Sequence, residues 1–297
     1  MTPSAIRRSG ARRGALSIFW REFRRNKGAL VGLYLLLPII LLAIIGPWIA
    51  PYDPAEQFSG HLLQPPSWRQ AGTPEFLLGT DDLGRDILSR ILYGARLSLG
   101  LASIIVLLAA SVGVMLGSLA ALMGKMVESL LMRIADIILA LPSLLLAIAV
   151  VALLGPGLPN AIYAVAIVLI PHFMRITRAA IRDELGRDYV TAARLDGASG
   201  SRMFVRVLLP NILAPLIVQT TLSFSTALLD IAALGFLGLG AQPPVSEWGT
   251  LLSQSRAYIQ LAPWTVTTPG LAILVTVLAI NLLGDGVRDA LDPRLSR

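Results

Sequence analysis

Long apolar runs separated by shorter polar stretches dominate this sequence, and six of them stand out: 29–50, 97–123, 130–154, 160–173, 211–237 and 268–283. A helix needs roughly 20 mostly apolar residues to cross a hydrocarbon core of about 30 Å, so each run reads as a transmembrane helix, the fourth extending in register toward Arg178. The pattern predicts an all-α membrane protein of six transmembrane helices. One N-terminal helix (29–50) precedes an external segment (51–96) and a five-helix core (97–286), with a basic N-terminus (1–28) and a short tail (287–297) at the two ends. The first run follows basic residues, but it is long for the apolar part of a secretory signal and Pro51 follows it directly, so a retained signal anchor is expected.

Pro38, Pro142, Pro171, Pro215 and Pro269 fall within or at the ends of these runs, where freed backbone groups must be satisfied by neighbouring helices, so kinks packed inside a bundle are expected. Gly113 and Gly117 form a GxxxG face on which another backbone can approach closely. The run 211–237 carries Asn211, Gln219, Thr220, Thr221, Ser223, Ser225, Thr226 and Asp230, a polar content that is costly against lipid and should face the bundle interior. Gln219, Ser223 and Asp230 are its candidates for lining a pathway. Asp136 is the other acid within a run. Three residues after Arg133, it fits a helix-face ion pair or a snorkelled position better than a transport role.

Composition agrees with lipid as the solvent. Of 297 residues, 55% are hydrophobic and 14% charged, where a soluble domain has about a quarter charged. There is no cysteine, which excludes disulfides, thiolate metal sites and a cysteine nucleophile; His61 and His172, the only histidines, form no HExxH pattern, so no metal is expected. The net charge of +7 has the wrong distribution for nucleic acid. Basic residues gather in alternate loops: Arg7, Arg8, Arg12, Arg13, Arg21, Arg24, Arg25 and Lys27; Lys125 and Arg133; seven arginines from Arg175 to Arg206; and Arg288, Arg294 and Arg297. Because basic loops resist translocation, that side and both termini should be cytoplasmic, as six spans require.

The cytoplasmic stretch at about 175–210 is arginine-rich, broken by glycine, and re-enters the membrane at Leu209-Pro210. Thr191-Ala192-Ala193, Asp196-Gly197-Ala198-Ser199, Val207 and Leu209-Pro210 describe a helix, a tight turn at Gly197 and a second helix. Such a knob can sit in a cleft of a soluble partner. The competing reading is an amphipathic loop lying on anionic lipid. In spacing, these residues resemble the EAA loop of bacterial ABC importer permeases, with Thr191 in place of the usual Glu and Val207 in place of the usual Ile. No GxxxxGK[ST] sequence occurs, so ATP and Mg would be bound on separate chains.

Gly79-Thr80-Asp81-Asp82-Leu83-Gly84-Arg85-Asp86, in the external segment, suits a capped turn opening a helix, with a metal or anion site at Asp81, Asp82 and Asp86 as the sharper alternative. It is similar to the GTDxxGRD signature of C-type permeases in the peptide/nickel branch of these importers. Pro51-Tyr52-Asp53-Pro54, Ala140 to Ser143, Arg187 to Val190, Ala233 to Gly238, Glu247-Trp248-Gly249 and Gly284 to Asp289 also look like that branch, and Ala232 to Pro244 and Asp285 to Pro293 look most like its dipeptide subgroup. The resemblance implies a homologous B-type permease, two ATPase subunits on the cytoplasmic side and an extracytoplasmic solute-binding protein as partners, with the lipid bilayer around the spans. Tyr52, Asp81, Asp82, Arg85 and Asp86 are candidates for contact with that binding protein. It implies no catalysis in this chain, and leaves longer peptides, nickel, haem-like compounds or polyamines as alternative solutes. Two rivals of other classes are an ion-coupled secondary transporter using Asp136 and Asp230, against which there is no internal repeat, and an intramembrane hydrolase, for which no GxSxG occurs.

Overall fold

The computed structural model describes residues 19–291; the basic residues Arg7, Arg8, Arg12 and Arg13 and the tail residues Arg294 and Arg297 lie outside the described residues. It is a helical bundle. Five helices are each long and apolar enough to cross a membrane: α1 (Lys27–Ile49), α2 (Ile87–Leu122), α5 (Leu158–Leu185), α7 (Leu213–Phe236) and α9 (Trp264–Leu291). Two shorter helices, α3 (Lys125–Leu139) and α4 (Ser143–Leu154), form a pair bent by 95°, which makes a sixth crossing if it is one span.

The break falls inside the run 130–154, where a single span kinked at Pro142 is expected, and it goes further than a kink, dividing the run into two helices. Proline disfavours the helical conformation in the residue before it, and Pro142 itself takes an extended ψ of 131° before α4 starts at Ser143. Helix α2 begins ten residues before its apolar run, because Asp86 caps it: the carboxylate accepts from Ser89 N at 2.8 Å. Helix α5 runs on to Leu185, past the apolar limit at Phe173. Much of the predicted loop at 175–210 is therefore the solvated end of a long helix.

Close approach organises the bundle, since lipid supplies no hydrophobic drive between helices. A Cβ on Gly113 would lie 2.5 Å from Phe173 Cβ, and one on Gly117 2.5 Å from Met174 O, so the GxxxG face packs directly on α5. Around this contact Ile105 of α2, Leu169 and Phe173 of α5, and Leu228 and Ile231 of α7 form the main core. A second core joins α1, α2 and α9 around Trp248 of the short helix α8 (Trp248–Ser255).

Between α1 and α2, residues 50–86 fold as a turn-rich cap. Tyr52, Phe58 and Phe76 pack with ring centroids 5.0 to 5.5 Å apart, and Phe76 is buried. Trp264 at the head of α9 donates its indole N–H to Thr80 O at 3.3 Å, tying the cap to the bundle.

Candidate functional site

At the end of the bundle opposite the cap, α5 is followed after Gly186 and Arg187 by the short helix α6 (Asp188–Leu195). Tyr189 donates its hydroxyl to the Glu184 carboxylate of α5. Partial desolvation, with the hydrogen-bonded Glu184 carboxylate beside it, pushes the phenol of the exposed Tyr189 up to about 12, so it remains a donor. The inner face of α6 is fixed by the fully buried Val190, while Ala193 is half-buried against the core. Its end is closed by paired hydrogen bonds, Gly197 N to Arg194 O at 3.0 Å and Ala198 N to Ala193 O at 3.1 Å. This is the Schellman arrangement, in which the residue after the cap takes a left-handed conformation, and Gly197 has φ of +74°. The chain continues through Gly200–Arg202, a π-helical segment Met203–Leu208 and the turn Leu209–Asn211 into α7.

The turn expected at Gly197 is therefore present. Thr191, Ala192, Asp196, Gly197 and Ser199 are exposed, and Ala198 is half-buried. Leu195 lies at the end of α6 as an apolar side chain that is 85% exposed. Sequence reasoning missed this residue; its position one before Asp196-Gly197 was the available signal.

The cap places the external candidates differently. The Asp81 carboxylate is buried and accepts from Arg85 Nε at 2.7 Å, from Arg90 Nη1, and from the backbone N–H groups of Leu83 and Arg85 at 2.9 Å each. Both guanidinium groups also donate to Gln254 Oε1 of α8, at 3.1 and 2.8 Å. Asp86 is buried as the α2 cap, where burial pushes its carboxyl up against the hydrogen bonds from Ser89. Asp81, Arg85 and Asp86 are thus internal supports, and their burial removes them as a direct docking surface. Asp82 stays partly accessible, and Tyr52 is a half-buried member of the aromatic cluster. No group of three acidic or histidine side chains with metal-holding geometry occurs among the described residues. Capping and ion pairing account for Asp81 and Asp86.

A further carboxylate, given no role of its own in the sequence beyond the Glu247-Trp248-Gly249 motif, completes this end. Glu247 caps α8, fully buried, accepting from Gly249 N at 2.9 Å, Thr250 N at 2.8 Å and Ser98 Oγ of α2 at 3.2 Å. Desolvation raises its pKa above the ordinary value, and these hydrogen bonds oppose the shift.

Within the spans, Gln219 Nε2 donates to Ser223 Oγ at 3.0 Å along α7. Asp230 is 8% exposed, and its Oδ2 has no hydrogen-bond partner. An open, largely apolar cavity of about 520 Å³ between α1, α2, α7 and α9 is lined on α7 by Thr220, Thr221 and Phe224, not by the three pathway candidates. Asp136 pairs with Arg175 of α5 instead of its sequence neighbour Arg133. His172 is exposed.

The bundle, its exposed helix–turn–helix knob and the capped first span define a class. The chain belongs to the family described as binding-protein-dependent transport system inner membrane component, whose profile matches residues 113–297, and the N-terminal TM domain of oligopeptide transport permease C matches residues 15–66. It is a multi-pass permease subunit of an ABC importer, a transport component and not an enzyme. Over 282 residues it is 59% identical to the di/tripeptide transport system permease protein DppC of Pseudomonas aeruginosa (strain UCBPP-PA14), covering 94% of this chain and 92% of that one. It is 56% identical over 282 residues to the dipeptide transport system permease protein DppC of Escherichia coli (strain K12), covering 95% and 94%. The peptide transport system permease protein SapC of Escherichia coli O6:H1 is 48% identical over 278 residues, 94% of each chain. Among solved structures, an inward facing conformation of the MetNI methionine ABC transporter superposes with a TM-score of 0.57 at 20% identity, covering 68% of this chain and 96% of that one, which speaks for the fold alone.

Proposed function

We propose that this chain is the C-type half of a heteromeric importer that carries dipeptides or short peptides across the inner membrane. A homologous B-type permease completes the pore, two ATPase subunits bind ATP and Mg on the cytoplasmic side, and a solute-binding protein delivers the solute to the cap. Both termini of this chain are cytoplasmic. The identity to peptide permeases supports the solute class. The observation that carries the coupling role is the knob itself: α6 projects beyond the bundle, ends at the Gly197 turn and presents Leu195 to a partner. ATP-driven closure of the ATPase pair displaces the knob, and the attached helices reorient the pathway by alternating access. Reconstitution of the complete importer tests this. Uptake of a labelled dipeptide should require the binding protein, both ATPase subunits and ATP, and crosslinkers placed at Ala193 and Ser199 should reach an ATPase subunit. Uptake without ATPase subunits, or uptake of nickel, haem or a polyamine in place of dipeptide, would overturn the reading.

A further inference from the structure

Helix α3 is weakly buried for an element of a bundle. Among its residues Ala135 alone is buried, whereas Met126 (88% exposed), Leu130, Ile134 and Ile137 form an open apolar stripe at helical spacing. Little apolar burial therefore fixes its register, and charge is what holds it to α5. Glu128 accepts from Arg178 Nε at 2.6 Å and also from the Nη2 groups of Arg178 and Arg182. Two turns further along, Asp136 accepts from Arg175. The three arginines lie at i, i+3 and i+7, on one face of α5. Exposed single ion pairs contribute little, and Asp136–Arg175, exposed on both sides, is the weaker point of this clasp; the Glu128 side chain is 15% exposed and takes three N–H bonds from two guanidinium groups, a network and not an isolated pair.

The connections at the two ends of this clasp differ. Beyond Asp136 the chain bends by 95° at Ala140–Leu141–Pro142, so α3 is not a stiff continuation of α4. In the other direction α5 leads into the coupling helix α6 within two residues, and Tyr189 of α6 is bonded back to Glu184.

We infer that Glu128 and Asp136 are positioning residues that make α3 move as one body with the arm α5–α6, hinged at Ala140–Pro142. A displacement of the knob is then delivered to the apolar stripe of α3 in the cytoplasmic half of the membrane. This rests on the coupling role proposed above and adds to it the element that receives the motion.

The chain lacks cysteine, so spin labels at Ser129→Cys and Asp188→Cys report the α3–α6 distance in an importer whose other subunits are cysteine-free. That distance should be the same with and without bound nucleotide in the otherwise unaltered complex. In the isosteric double variant Glu128→Gln/Asp136→Asn it should differ between the two states, and solute carried per ATP hydrolysed should fall roughly fivefold or more, the low end of typical coupling free energies. Asp136→Arg alone should impair uptake, and Arg175→Asp added to it should restore it, a rescue that general loss of packing does not give. A distance that changes by more than about 5 Å, one helical pitch, with the ion pairs intact would overturn the inference. So would a double variant with unaltered solute per ATP. Either result leaves the coupling role standing as long as uptake still needs ATP, whereas ATP-independent uptake by the parent complex removes both. Should the double variant fail to assemble, the parent distance decides.

Discussion

Asn26 Nδ2 donates to Asp289 Oδ2 at 2.8 Å, joining the cap of α1 to the far end of α9. If this contact puts the two ends of the described chain on one side of the membrane, the number of crossings between them is even, and with five single-helix crossings the bent pair α3–α4 is then expected to supply a sixth despite its 95° break. With no native cysteine to interfere, a membrane-impermeant thiol reagent added to intact cells should label Trp68→Cys in the cap and spare both Arg25→Cys and Arg288→Cys. Labelling of Arg288→Cys from outside would mean an odd number of crossings.

Replacement at Gly197 separates backbone strain from crowding, because nothing lies within 4 Å of a Cβ built there while φ is +74°. Gly197→Val should strain the turn by about 1–3 kcal/mol, leaving insertion intact and lowering uptake. Gly197→Asn should transport at close to the parent rate, since asparagine tolerates the left-handed region. Equal activity of the valine and asparagine variants in reconstituted vesicles would show that the turn conformation is not needed.

At the cap, Asp81 is the shared acceptor of two buried arginines. Asp81→Ala leaves Arg85 and Arg90 with Gln254 as their common side-chain partner and should cost about 3–5 kcal/mol, enough to deplete the protein from membranes. Asp82→Ala, at a partly accessible position, should change stability by about 0.5 kcal/mol or less. Thermal melting of the two purified complexes measures the contrast; indistinguishable midpoints would show that the ion-pair cluster adds no stability.

Glu247 gives a pH dependence whose sign follows from its raised pKa. The folded protein holds this proton to higher pH than the unfolded chain does, so its contribution is greatest below the ordinary value of 4.5 and declines as pH rises from there through the raised folded value. The melting temperature of the parent relative to Glu247→Gln should fall across that window. A difference that is flat, or that rises with pH, would mean that the carboxyl is not raised on folding.

The apolar runs, Gly197 and the polar character of α7 were legible because each follows from local chemistry: span length, a turn spacing and side-chain polarity. What escaped depends on partners far apart in sequence. Asp136 could be matched to Arg133 by helical spacing, but its partner Arg175 comes from another helix. Asp81, Arg85 and Asp86 look like surface charges in a hydrophilic segment, yet all three are buried, and Arg85 reaches Gln254 of α8, a partner 169 residues away. Pro142 signalled a kink, yet the extent of the bend depends on how α3 and α4 each lie against α5, which no local pattern encodes. Helix α5 outran its apolar run because helical hydrogen bonds continue through solvated residues while a hydropathy window does not.

Asp230 is the residue for which stability and transport should part company. It sits on α7 with 8% of its surface exposed, and its Oδ2 lacks any hydrogen-bond donor, an arrangement that costs free energy instead of supplying it. Asp230→Leu removes the unpaired Oδ2 at similar volume, so the complex should melt at the same temperature or higher, following the general behaviour of buried charges replaced by apolar groups. If the carboxylate serves the pathway, or receives a partner when the helices reorient, the same variant should lose uptake while keeping its assembly. Asp230→Asn, which retains a hydrogen-bonding group without the charge, should fall between parent and Asp230→Leu in transport rate. Paired measurements of melting temperature and dipeptide uptake on the two variants distinguish the cases. Higher stability with lost uptake marks a transport residue, lower stability marks a missing internal contact, and full uptake by Asp230→Leu with unchanged melting would remove Asp230 from both roles.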